Sequence, residues 1–152
     1  LALIDKPFAV RHQCGRNNES ATQAAYDNED LSRHSTQVQP FIDNMAAAYN
    51  WADVIVCRAG ALTVTEIQNV GIPAIFVPLP HAVDDHQTAN ARTLTEHGAA
   101  ILLPQSELTP ERLRAELAVL DRAKCLEMAE KGHALANRSA TEQVADIIWQ
   151  SL

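Results

Sequence analysis

The sequence predicts an α/β domain on a Rossmann-like, doubly wound parallel sheet, and three observations predict it. Strand-like and helix-like segments alternate along the chain, which is the order of successive βαβ units. The runs "DVIVCRA" (53–59) and "PAIFVPL" (73–79) are near-continuously apolar, as strands covered on both faces of a parallel sheet are. The 152 residues are 47% hydrophobic, which is length and apolar content for one soluble domain with a core. No stretch reaches the ~18 to 20 uninterrupted apolar residues of a membrane helix.

Each element follows from its residues. "LALID" (1–5) is a short helix-like piece standing directly before the first strand, "FAVRHQC" (8–14), whose β-branched and aromatic residues favour extended chain. Helix-like periodicity over 18–28 leads to a second strand, "TQVQPFI" (36–42), and then to a helix over 43–51. The strand "DVIVCRA", a helix over 61–70, the strand "PAIFVPL", a helix over 84–97 and a last strand "AAILLP" (99–104) come next. Two long charged helical stretches, 109–135 and 139–151, close the chain, and no internal repeat or low-complexity run interrupts the pattern. A doubly wound nucleotide-binding unit normally opens with a strand and a Gly-rich turn, so its first strand is expected to be absent from residues 1–152. The chain is therefore expected to be a piece of a longer protein. In the order 3-2-1-4-5-6, the strands near 7–14 and 53–58 would both lack the central neighbour.

Composition excludes several classes of function. A formal net charge of −7 is the wrong sign for nucleic acid, whose binders bring Lys and Arg to the phosphates, and for docking of this segment on anionic lipid. Cys14, Cys57 and Cys125 are odd in number and scattered without a CxxC pair, the pattern of reduced thiols in a cytoplasmic protein rather than of a disulfide framework or a zinc site. The first residues carry no basic segment, long apolar segment or small-residue cleavage site of an export signal.

The stretch "DVIVCRAGALTVTEI" (53–67) places a glycine between a buried strand and a helix that ends at Gly71, with Pro73 just beyond. Gly60 is expected to allow a sharp turn, so the helix N-terminus faces the crevice at the carboxyl edge of the sheet, where open α/β sheets bind ligands. The free N–H groups of Ala61, Leu62 and Thr63, with the positive end of the helix dipole, favour an anion such as a diphosphate. Thr63 and Glu66 are three apart and share a face, and the two oxygens of a carboxylate can accept from the paired hydroxyls of a ribose. The alternative is that Thr63 and Thr65 are ordinary first-turn polar residues and Glu66 a solvated partner of the dipole. These residues alone leave both open.

A second group, "PLPHAVDDHQTANA" (78–91), follows the next strand at the same sheet edge. Asp84 or Asp85 can cap a helix carrying Gln87 and Asn90, whose amides donate and accept as sugar hydroxyls require. "HAVDDH" approaches the H-x-H-x-D-H signature of binuclear zinc hydrolases, but Val83 stands where the middle histidine belongs, and no further His or Cys cluster supports a metal. His81 and His86 are read as loop and cap residues.

Residues 41–91, "FIDNMAAAYNWADVIVCRAGALTVTEIQNVGIPAIFVPLPHAVDDHQTANA", resemble the C-terminal domain of the MurG family of bacterial glycosyltransferases. The likeness runs from about "RHQCG" to the C-terminus and rests on the R-[SA]-G-A-L-T-V-[ST]-E and D-H-Q-x-x-N-A blocks. It implies the second half of the two-domain GT-B arrangement. The implied activity is transfer of N-acetylglucosamine (GlcNAc) from UDP-GlcNAc to the muramoyl pentapeptide lipid called lipid I, giving lipid II. The resemblance also implies that the backbone of Ile42 contacts the uracil, that Ala61, Leu62, Thr63, Val64 and Thr65 line the diphosphate and sugar, that Glu66 holds the ribose hydroxyls, and that Gln87 meets the GlcNAc hydroxyls. His86 stands where some relatives carry another glutamine. The family's second-domain Gly-rich loop has no counterpart in this chain, and neither has the N-terminal domain with its acceptor loop.

The implied reaction inverts at the anomeric carbon, with a muramoyl hydroxyl as nucleophile and UDP as leaving group. A helix N-terminus and nearby hydroxyls would stabilise the charge that develops on UDP, so no metal or other cofactor is expected. The general base is expected on the N-terminal domain, as are the contacts to lipid I and to the cytoplasmic face of the inner membrane, and no catalytic residue is assigned in residues 1–152. Two other readings are a naturally separate donor-binding subunit needing a partner chain, and a sugar-nucleotide epimerase of the same fold. Epimerases use a glutamate pair in the ribose block, where this chain has Glu66 alone.

Overall fold

The computed structural model of the chain describes residues 6–80, 85–136 and 147–149. The expected piece "LALID", His81, Asp84 and most of the helix expected over 139–151 lie outside the described residues; residues 147–149 are helical. Among the described residues up to 136, strands and α-helices alternate as far as β5 and two helices follow: β1 (Ala9–Gln13), α1 (Glu19–Asp27), β2 (Ser35–Gln39), α2 (Met45–Trp51), β3 (Ile55–Cys57), α3 (Ala61–Val70), β4 (Ala74–Phe76), α4 (His86–Thr95), β5 (Ala100–Leu102), α5 (Pro110–Ala118) and α6 (Arg122–Ala134). Every strand pairing among the described residues is parallel, in two ladders ordered β1-β2 and β3-β4-β5. Each ladder reproduces its half of the expected doubly wound order.

The chain divides into two compact units, Leu1–Ala52 with Thr109–Val119, and Asp53–Leu108 with Leu120–Leu152. In the first unit, β1 and β2 pair from Ala9↔Ser35 to Gln13↔Gln39, and α1 packs on β2. Tyr49 of α2 is its one buried hydrophobic among the described residues, since a two-stranded ladder has little surface to cover. Arg11 stacks its guanidinium 4.2 Å from the centroid of the Trp51 ring, and the Tyr26 hydroxyl lies 3.1 Å from Nδ1 of His12.

The second unit holds the apolar core. Strand β4 is central and buried throughout, with Ile75 and Phe76 fully enclosed, and Val64 and Ile67 of α3, Leu94 of α4, Leu103 and Met128 of α6 join them. The expectation that β3 is covered on both faces is corrected: Val56 is 47% exposed, so among the described residues its face of the sheet is only partly covered, at a strand that is paired there with β4 alone. The stretch expected to be helical over 109–135 is likewise two helices. Thr109 caps α5 by accepting from the Arg112 N–H at 3.1 Å, with Pro110 opening the helix, and Asp121 caps α6 by accepting from the Lys124 N–H at 2.8 Å. A side chain that satisfies first-turn amides starts a new helix even inside a helix-like run. A short 3₁₀ turn at Gln105–Glu107 precedes α5, and nothing in the periodicity marks it.

Helix α3 ends as expected. Gly71 adopts φ +71° and ψ +47°, and its N–H bonds the Ile67 carbonyl at 2.9 Å. A Cβ there would stand 3.2 Å from the Ala129 carbonyl oxygen of α6. Gly71→Ala is therefore expected to destabilise the fold by about 1 to 2 kcal/mol, the cost of a left-handed L-residue. A urea-unfolding midpoint that does not move would contradict this.

Candidate functional site

The turn from β3 into α3 is made by Arg58, Ala59 and Gly60. Gly60 has φ −64° and ψ 145°, an extended conformation open to any residue, and an added Cβ would meet only Thr63 Oγ1 at 3.8 Å. The expected need for glycine in a sharp turn is thus corrected: backbone conformation does not demand it. The first helical bond runs from the Val64 N–H to the Gly60 carbonyl at 2.9 Å. The amides of Ala61, Leu62 and Thr63 precede it and have no acceptor within the helix. Gly60 offers no side-chain cap. Helix α3 begins at the carboxyl end of β3, as the sequence predicts.

Ala61, Leu62, Thr65 and Glu66 are exposed, Leu62 at 82%, while Thr63 is partly covered and Val64 is packed inside. The Thr65 hydroxyl donates to the Ala61 carbonyl at 3.0 Å, so its proton serves the helix itself. Thr63 and Glu66 share the outward side of α3, at i and i+3.

Helix α4 starts at the carboxyl end of β4, the neighbour of β3, and is tied to both preceding loops. Asp85 is its N-cap residue in a left-handed conformation (φ +50°), and its carboxylate accepts from the Thr88 hydroxyl at 2.6 Å. Oε1 of Gln87 accepts from the Leu79 N–H at 2.9 Å. Because an amide N–H can only donate, the oxygen of Gln87 faces the loop and its NH₂ group carries the remaining donors. Asn90, read from the sequence as a partner for sugar hydroxyls, donates to the Ala59 carbonyl at 3.1 Å and so fixes the β3–α3 turn. Arg58 was not singled out by the sequence. Its Nη1 donates to the carbonyls of Val77 and Pro78, both at 3.1 Å, and links the β3–α3 turn to the loop after β4.

Ile42 belongs to the first unit and lies three residues beyond β2. Its N–H donates to Oε1 of Gln13, the last residue of β1, at 3.0 Å, and Phe41 beside it is 61% exposed. Gln13 was also missed, because nothing in the sequence joins positions 13 and 42 until the parallel register places β1 beside β2.

The cysteines are free thiols; burial pushes Cys57 up to about 12, which keeps it protonated and unreactive at neutral pH. Among the described residues, no cluster of three or more His, Cys, Asp or Glu is arranged to hold a metal ion, and no helix is long and apolar enough to cross a membrane.

Comparison with known proteins gives these features a context. The sequence profile of the glycosyltransferase family 28 C-terminal domain matches residues 1–150. The UDP-N-acetylglucosamine–N-acetylmuramyl-(pentapeptide) pyrophosphoryl-undecaprenol N-acetylglucosamine transferase of Psychrobacter cryohalolentis is 80% identical over 152 residues, all of this chain and 42% of that protein. The crystal structure of Acinetobacter baumannii MurG superposes with a TM-score of 0.93 at 47% identity, covering 98% of this chain and 43% of that one. A glycosyltransferase of kitacinnamycin matches with a TM-score of 0.61 at 22% identity over the whole of this chain and 44% of its own, a likeness of fold. The chain thus spans well under half the length of these relatives. Its parallel sheets and flanking helices are those of the C-terminal half of a GT-B glycosyltransferase, and the chain belongs to the glycosyltransferase family 28 C-terminal domain family.

Proposed function

We propose that residues 1–152 form the UDP-GlcNAc-binding domain of an inverting glycosyltransferase that moves GlcNAc to lipid I, making lipid II for peptidoglycan synthesis. The observation that carries this reading is 80% identity, along the whole chain, to a transferase named for that donor and acceptor. In the proposed complex the amides of Ala61, Leu62 and Thr63 and the dipole of α3 hold the diphosphate. Val64 and Thr65 complete the same turn, Glu66 accepts from the ribose hydroxyls, Gln87 meets the GlcNAc hydroxyls and the backbone of Ile42 meets the uracil. As UDP leaves, its growing negative charge is stabilised by donors already aimed at it, which lowers the barrier without reorganisation. An N-terminal domain of the complete protein supplies the general base, the lipid I contacts and attachment to the cytoplasmic side of the inner membrane.

Sugar recognition tests the reading. A site that hydrogen-bonds one particular hydroxyl rejects a donor that misplaces it. Gln87→Ala in the complete protein is expected to erode the preference for UDP-GlcNAc over UDP-GalNAc and to leave UDP affinity nearly unchanged. Competition binding with the three ligands measures this; an equal loss for all three would contradict it.

A further inference from the structure

We propose that Arg58 is a positioning residue for the sugar end of the donor site, acting through the loop between β4 and α4. The proposal rests on the reading of Gln87 as a sugar contact. Three side chains hold the carboxyl edge of the β3-β4-β5 ladder in place. Asn90 fixes the turn before α3 through the Ala59 carbonyl, Gln87 holds the Leu79 N–H, and Arg58 spans from one turn to the other loop. A single nitrogen, Nη1, serves the Val77 and Pro78 carbonyls, which immediately precede Leu79. Val77 is also held by its own N–H, which donates to the Cys57 carbonyl at 2.8 Å, so the charge-assisted Arg58 bonds, about twice as strong as neutral ones, act chiefly on Pro78 and the backbone that leads to Leu79.

The tethers divide the site. The donors proposed for the diphosphate and ribose, at Ala61 to Thr63 and Glu66, stand on α3, whose entry turn Asn90 secures independently of Arg58. Leu79 and its partner Gln87 depend on residues 77 and 78. Releasing Arg58 therefore disturbs the sugar contact more than the nucleotide contact. Both bonds come from one nitrogen, so the planar fork of arginine is not required and a lysine can supply part of the same restraint.

The experiment compares Arg58→Met, Arg58→Lys and Glu66→Ala in the complete protein. Steady-state kinetics would be run with UDP-GlcNAc and lipid I, alongside UDP binding and thermal melts. Arg58→Met is expected to raise the KM for UDP-GlcNAc about tenfold, the scale of losing a charged hydrogen bond. UDP affinity should change less than about twofold and the KM for lipid I should hold, while Arg58→Lys recovers most of the donor KM. Loss of folded protein alone would lower apparent kcat and leave both KM values in place. If Arg58→Met melts too low to assay, the donor KM of Arg58→Lys, raised two- to threefold at about unchanged kcat, decides. An unchanged donor KM overturns the proposal. So does an equal weakening of UDP and UDP-GlcNAc, which would mean that the guanidinium touches the diphosphate directly. If Glu66→Ala also leaves UDP binding intact, the underlying donor-site reading has failed; if Glu66→Ala weakens it, only the role of Arg58 has.

Discussion

Glu66→Ala in the complete protein is expected to weaken UDP binding by ~1.5 to 3 kcal/mol, roughly ten- to a hundredfold. The argument starts from the helix. Glu66 stands one turn into α3 on the same side as Thr63, exposed, beyond three amides with no acceptor in the helix. In the proposed complex a diphosphate held at those amides would bring its ribose toward position 66, whose two carboxylate oxygens can each accept from one hydroxyl of the diol. Removing a charged acceptor from such a pair strands two hydroxyls that water repays only in part. The loss should fall on the uridine part of the donor, so UDP and UDP-GlcNAc weaken together, in contrast to Gln87→Ala. Calorimetric titration with UDP measures it, and unchanged affinity would remove Glu66 from the site.

Phe76→Ala is expected to lower stability by about 3 to 5 kcal/mol, the range for emptying an enclosed aromatic site. Phe76 has no exposed surface and sits on the central strand β4, in register with Cys57 of β3 and Leu102 of β5. Strand neighbours fixed on both sides cannot close onto the space, so the cavity persists and its cost adds to the lost burial. Denaturant unfolding should show a lower midpoint with an unchanged slope. Val56→Ala, on the same sheet but 47% exposed, should cost much less. Equal losses at the two positions would mean that the core does not lie where β4 places it.

The alternation of apolar strands and periodic helices was enough to locate all five strands and the helices from α1 to α4 within a few residues, because burial on a parallel sheet imposes its pattern directly on local sequence. The anion-favouring start of α3 was legible for the same reason: a strand, a short turn and a helix fix which end of the helix meets the sheet edge. Other features depended on contacts between residues far apart in the chain. The exposure of Val56 depends on what packs against its face of the sheet. The division of 109–135 into two helices is, by contrast, a local event, made by Asp121 accepting from the Lys124 N–H three residues on. The site shows the same split. Sequence pointed to Ala61, Thr63, Glu66 and Gln87 because their chemistry is suited to phosphate and hydroxyls. Only the tertiary structure turned Asn90 inward to the Ala59 carbonyl and brought Arg58 and Gln13 to the backbone of loops 19 and 29 residues away. A residue type states what a side chain can bond; which partner it meets is decided by the register of the strands and the packing of the helices that carry it.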